Sequence, residues 1–240
     1  KDAQHLIYAY DNKGKVYIYD KRKDTFVLKC NLQKILGGSI VLNELLVDEK
    51  GNFWLAMDRG IYCLSAATGG KEIVRETAKG RFVLKNTYIN HIQFIGQKLL
   101  IGTFKDVYCY SMSARKLEKK ISGSSVVSSY HDIVGHRIWL GTFHEGVKVV
   151  DDRTWKLITS ADFQSTLEYI THEYLNNQSL IDNCVNDVFQ SRDGKIWYAT
   201  DKGVSVYDAQ TRLWHHGLYN KVALTICQTV DGRILVGTYG

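Results

Sequence analysis

Ten residues each lie a short step beyond a recurring small residue, and their types suit sugar recognition. They are Asp58 and Arg59; Phe104 and Lys105; Phe143, His144 and Glu145; Asp201 and Lys202; and Tyr239. An exposed ring stacks on a pyranose face while charged and polar neighbours bond its hydroxyls. Phe104 and Phe143 stand out because each follows a Gly-Thr pair, where solvent is expected. The competing role for both is packing between repeats.

A second polar set is found by counting. Twelve residues before Trp54, Trp139 and Trp197 stand Leu42, Val127 and Val185, each expected to open a strand, and Ile89 opens it in a shorter copy. The next residues are Asn43, Ser128, Asn186 and Asn90. Four polar residues at one equivalent position would ring a channel mouth. The competing role is to satisfy backbone groups of the preceding turn, as Asn and Ser often do.

Catalysis finds little support. His91, His131, His136 and His144 occur singly, with no paired nucleophile, and His215-His216 has no third metal ligand nearby. A glycosidase or lyase would bring two carboxylates to about 5–10 Å, and Glu44, Asp58, Glu145 and Asp201 are the ones to inspect. No cofactor or metal is expected.

These residues are positioned by a repeat. Gly194-Lys195-Ile196-Trp197-Tyr198-Ala199-Thr200 returns as Gly135-His136-Arg137-Ile138-Trp139-Leu140-Gly141-Thr142 and as Gly51-Asn52-Phe53-Trp54-Leu55-Ala56. Weaker copies lie at Leu100 to Thr103, Leu235 to Thr238 and Ile7 to Tyr10. The small residues Ala9, Ala56, Gly102, Gly141, Ala199 and Gly237 are spaced 47, 46, 39, 58 and 38 apart, close to the roughly 40–50 residues of a four-stranded propeller blade. Short alternating runs read as strands. In the fifth unit strand A is expected near 185–190, B at 195–200, C at 203–208 and D at 212–217. Asp193-Gly194, Asp231-Gly232 and Lys50-Gly51-Asn52 supply A–B turns, and Lys202-Gly203 and Arg59-Gly60 the B–C turns. The small residue ending B lets neighbouring sheets approach, and the preceding Trp fills the gap. The expected fold is all-β: one domain over 1–240, a propeller of four-stranded blades with five to six units, an incomplete seven-bladed ring being one form. The units are 1–36, 37–84, 85–122, 123–180, 181–218 and 219–240. Strand A of the sixth unit is a candidate to complete the first, which lacks its own.

Composition narrows the classes. The 240 residues carry a net charge of +6, no Pro, 15 Tyr and 5 Trp. Turns therefore rely on Gly, Asn, Asp and Ser. No apolar run approaches the roughly 18 residues that span a bilayer. Lys21-Arg22-Lys23 and the run from Lys116 to Lys120 fall on expected outer strands, where lysines guard an edge; no nucleic-acid motif accompanies them. Cys30, Cys63, Cys109, Cys184 and Cys227 show no metal spacing and read as free, mostly buried thiols, which suits a reducing compartment and argues mildly against export.

The run from Asn177 through Phe189 and on through Asp193-Gly194-Lys195-Ile196-Trp197-Tyr198-Ala199-Thr200 resembles the two-component regulator propeller repeat of Bacteroides-type hybrid sensor histidine kinases. The fifth unit matches best, the fourth and second match from the turn onward, and the rest are degenerate. The resemblance implies a periplasmic sensor region of seven-bladed propellers, with an oligosaccharide ligand, a homodimer, and membrane attachment and a kinase outside these residues. A seven-bladed ring would need about 320 residues, so the sequence looks like a piece of a longer protein. A protein-binding scaffold is the rival reading and would show an apolar patch on one face. The longest step implies an insertion. There Ser165-Thr166-Leu167-Glu168 reads as a capping box, opening a helix whose Leu167, Ile170, Tyr174 and Leu175 would pack on the rim.

Overall fold

The alternating runs form twenty short strands in a computed structural model that describes residues 6–66, 71–73, 84, 86–158 and 171–239. They make six small antiparallel sheets. The first holds β1 (Tyr8–Tyr10), β2 (Lys15–Asp20) and β3 (Thr25–Asn31), followed by a one-turn helix, α1 (Leu32–Leu36). The second holds β4 (Leu42–Val47), β5 (Phe53–Met57), β6 (Gly60–Leu64) and β7 (Lys71–Ile73). The third holds β8 (Ile89–Ile95), β9 (Lys98–Thr103), β10 (Asp106–Ser111) and β11 (Lys116–Ser122). The fourth holds β12 (Val126–Asp132), β13 (Arg137–Thr142) and β14 (Val147–Asp151). The fifth holds β15 (Val185–Gln190), β16 (Ile196–Thr200), β17 (Gly203–Asp208) and β18 (Leu213–Gly217), and the sixth β19 (Val222–Gln228) and β20 (Ile234–Tyr239).

The fifth unit has the expected four strands. Among the described residues the fourth sheet has three, with a single bridge from Val150 to Leu157 where a fourth strand was expected. In the sixth unit β19 is laddered to β20, and in the first β1 to β2. The capping-box helix lies outside the described residues, except for Tyr174 and Leu175. These two do not pack on a rim but are 86% and 89% exposed. The side chains of Ser179 and Asn183 take the N–H groups of Glu173 and His172, and such local bonds compete with a helix.

Contacts divide the chain into two compact bodies, Lys1–Phe104 with Tyr108–Glu118, and Lys105–Val107 with Lys119–Gly240. Within each, the tryptophans join successive sheets. In the first body Trp54 of the second sheet packs with Ile89, Ile92, Leu99 and Ile101 of the third. In the second, Trp139 packs with Val185, Val188 and Tyr198 of the fifth sheet, and Trp197 lies against Ala223 and Ile226 of the sixth. Their indole N–H groups also close the A–B hairpins of their own sheets, Trp54 on Asp48 at 3.0 Å and Trp197 on Ser191 at 3.0 Å.

The small residue ending strand B is a steric necessity at Gly141. A Cβ there would stand 2.8 Å from the Val185 carbonyl oxygen of the next sheet and 2.2 Å from Ser128 Oγ. Polar side chains tie the same first strands together. Each A strand carries a bulge near its start, at Asn43, Asn90, Val127, Asn186 and Leu224. Asn43 donates to the carbonyl of Ile89 at 2.8 Å, and Asn186 to that of Ala223 at 2.9 Å. The next residue is a carboxylate in both sheets. Glu44 accepts the N–H of Ile92 at 2.8 Å, and Asp187 that of Ile226 at 2.8 Å and the Thr225 hydroxyl at 2.9 Å.

Ser128 is not equivalent to the three asparagines. Val127 holds their bulge position, because Trp139 faces Tyr130 nine residues back, whereas Trp197 faces Phe189 and Trp54 faces Leu46, eight back. The extra hairpin residue defeats the twelve-residue count. Ser128 pairs with Gly141 instead and, at 5% exposure, points its hydroxyl to the Val185 carbonyl at 3.5 Å.

Two cysteines are buried, two half-buried, and Cys227 exposed, so the expectation of mostly buried thiols holds for Cys109 and Cys184 only. Lys116 to Lys120 do lie on an outer strand, β11, which is largely exposed.

Three outcomes follow from this packing. Gly141→Ala should cost about 1–3 kcal/mol through overpacking, read by urea unfolding. Asp187→Ala strands the Ile226 N–H and should cost about 1–3 kcal/mol, with faster amide exchange at Ile226; Asp187→Asn keeps an acceptor oxygen and should cost less. For Asp48, burial pushes the pKa up, but hydrogen bonds from the Trp54 indole, the Asn52 side chain and the Asn52 and Lys50 N–H groups outweigh it and hold it below the ordinary 3.8. Its contribution is therefore complete above that value and is lost as pH falls through the lower, folded-state pKa. Asp48→Asn should flatten the dependence of stability on pH below about 4, measured by unfolding at a series of acidic pH values.

Candidate functional site

The loop ends of the sheets are zipped to the connectors on both sides. The N–H just after each strand B bonds the carbonyl of the residue before the A strand of the same sheet: Asp58 to Val41 at 3.1 Å, Phe143 to Ser125 at 3.0 Å and Asp201 to Cys184 at 3.3 Å. On the other side Asn86, Gly123 and Asn220 donate to the carbonyls of Arg59, Lys105 and Lys202 at 2.9–3.0 Å. The threonines close the B–C turns: Thr142 Oγ1 donates to the Gly146 carbonyl, and Thr200 Oγ1 to that of Gly203. B–C loops and D–A connectors therefore share one end of each sheet, on a rigid base suited to binding.

In the first body this end carries a ring cluster around Asn43. Tyr88 donates to Asn43 Oδ1 at 2.9 Å and lies against Phe104, ring centroids 5.2 Å apart. Tyr10 donates to the Asn43 carbonyl at 3.3 Å. Tyr10, Tyr88 and Phe104 remain 38%, 39% and 54% exposed. Burial and then the Glu44 charge push the Tyr10 phenol pKa up. Glu44 lies 2.9 Å from His91 Nδ1. Arg59 lies 3.6 Å from its neighbour Asp58. Asn90 is half-buried, and its amide nitrogen has no hydrogen-bond partner among the described residues. The sequence pointed to Phe104 and Asn43. It did not single out Tyr10 and Tyr88, whose signal is position alone: Tyr88 immediately precedes the first residue of strand A.

In the second body the expected residues form two groups. Phe143 is 41% exposed and packs edge-on against His144 at 4.3 Å. Glu145 pairs with Lys148 at 2.9 Å, and the same ammonium donates to Gly123 and Ser124. On the fifth sheet, Asn186 donates to Asp201 at 2.8 Å and Lys202 pairs with Asp182 at 3.1 Å. Lys105 offers its carbonyl to Gly123 and Ser124. Tyr239, 76% exposed, ends β20. Burial, then the hydrogen bond and charge of Asp201 and the charge of Asp182, push the Cys184 thiol up to about 12. A thiol so protonated is a poor nucleophile.

The four carboxylates worth inspecting for catalysis are each held by a donor: Glu44 by Ile92, Asp58 by Val41, Glu145 by Lys148 and Asp201 by Asn186. No group of three metal-ligating side chains occurs among the described residues. What the loop ends offer is exposed rings beside oriented amides and carboxylates.

No family model matches the sequence, and no curated protein matches it. Solved structures do share the fold. The extracellular domain of the hybrid two-component system BT3049 from B. thetaiotaomicron superposes with a TM-score of 0.68 over 98% of this chain, at 20% identity. Two structures of the extracellular domain of BT4673 from the same organism, one described as a one-component and one as a hybrid two-component system, give 0.63 and 0.62 at 18% identity over 85% and 83% of this chain. The matches take up 30%, 26% and 25% of those domains, so this chain spans under a third of their length. No helix among the described residues is long and apolar enough to cross a membrane. The chain therefore has the fold of part of the extracellular domains of these bacterial two-component and one-component systems.

Proposed function

We propose that the six sheets are blades of a propeller in the periplasmic sensor region of a hybrid two-component system, and that this region binds an oligosaccharide. The observation that carries the reading is the cluster of Tyr10, Tyr88 and Phe104 around Asn43. Partly exposed rings with hydrogen-bonded polar groups between them match the alternating apolar faces and hydroxyl edges of a sugar. The fold shared with three extracellular sensor structures supports the cellular setting. Binding would alter packing between two protomers and pass the signal to a kinase outside these residues. The fragment itself acts by binding rather than by catalysis.

The test is thermal unfolding against plant, host and microbial oligosaccharides. A ligand at about 100 times its dissociation constant adds roughly 2.7 kcal/mol, so one glycan class should raise Tm saturably. Phe104→Ala should weaken that response at least about tenfold in apparent affinity. A chain that unfolds sharply and responds to no glycan would sink the reading and favour a protein-binding scaffold.

A further inference from the structure

One connector departs from the pattern of its own repeat. Six residues before the bulge of each A strand stand Gly37, Leu84, Ile121, Leu180 and Leu218. Leu84, Ile121 and Leu180 are apolar plugs, only 4%, 8% and 0% exposed. Leu218 is 46% exposed, with a left-handed φ of 52°. Gly37 shares the left-handed sign, with φ 80°, but glycine adopts it without cost. A leucine in that region pays a steric penalty from its Cβ. Such strain persists only where the surroundings impose it, and it collects at ligand contacts.

The strained leucine turns the tip of the connector outward. Tyr219 follows it, 63% exposed. The next residue, Asn220, is left-handed at φ 60° and donates its N–H to the Lys202 carbonyl at 3.0 Å. Lys221 N–H closes the turn on the Leu218 carbonyl at 3.1 Å. The tip is thus fastened to the B–C loop of the fifth sheet, where Asp201 and Lys202 present a carboxylate and an ammonium. Asn186 and Asp182 fix those two groups in place.

We propose that Tyr219 and the Asp201-Lys202 loop form a second carbohydrate subsite, separate in residues from the Asn43 cluster. The subsite rests on the reading of this chain as an oligosaccharide sensor. The Tyr219 ring takes the apolar face of a pyranose, the Asp201 carboxylate accepts from sugar hydroxyls, and the Lys202 ammonium donates to them. A rigid ring on a fastened turn loses little freedom on binding, so stacking there is efficient.

The test is isothermal titration of the wild-type chain and its variants with whichever glycan raises Tm. Tyr219→Ala should weaken binding at least about tenfold, and Tyr219→Phe, which keeps the ring, should retain it. Unchanged binding by Tyr219→Ala alongside loss by Phe104→Ala would overturn the subsite and leave the sensor reading standing. No binding of any glycan would overturn both. A change of oligomeric state in Tyr219→Ala without a change in glycan affinity would assign the tip to a protein interface and reject the subsite. Leu218→Gly should leave Tm equal or higher, since an exposed, strained side chain is removed. A fall in Tm like that of truncating a buried leucine would show Leu218 to be a packed plug, and the tip an ordinary connector.

Discussion

Neighbouring sheets can share a core only as closely as the smallest side chain between them permits. Gly141 sets that limit in the second body, where even a methyl group would collide with the backbone of the following sheet. Ala199 and Ala56 hold the same position elsewhere, both fully buried. The close approach brings the first strands of adjacent sheets within reach of short side chains. Only then can an asparagine or aspartate on one sheet bond the backbone of the next. The indoles occupy the space that opens beside the contact, so apolar packing and polar ties have one geometric origin.

That origin also orders the loop end. A bulge lets Asn43 and Asn186 leave the regular strand alternation and turn toward the following sheet. Residues that look like a ring of free polar groups in the sequence are thus partly committed to the framework. Asn43 serves both sides, tying sheets with its amide nitrogen while its oxygen holds the Tyr88 phenol. Framework and binding surface meet in a single side chain, which is why the aromatic cluster sits at a defined spacing rather than on a loose loop.

Much of this was legible in the sequence because the repeat is periodic. Trp, the small residue and the A–B turn recur at positions that fix strands B and C, and the fifth unit follows the expectation strand for strand. Strand A was placed by counting from the tryptophan, and the count failed where one hairpin holds an extra residue, at Ser128. The tie made by Glu44 and Asp187 was not legible, since its partners are backbone N–H groups with no letter in the sequence. Tyr10 and Tyr88 escaped notice for a different reason: tyrosine is common in these strands, and only the fold shows which ones converge on Asn43. Leu218 and Leu180 are the same letter at equivalent places, yet one is exposed and the other buried, a difference held in a backbone torsion.

Five of the ties between sheets are received by main-chain atoms: the carbonyls of Ile89, Val185 and Ala223 and the N–H groups of Ile92 and Ile226. Main-chain atoms are the same whatever residue supplies them. A unit that reaches forward in this way will be received by almost any successor that folds as a strand. Its descendants can be copied, lost or shuffled by recombination without a matching change next door. Degenerate copies beside well-kept ones, as in this chain, are what such tolerance would leave behind.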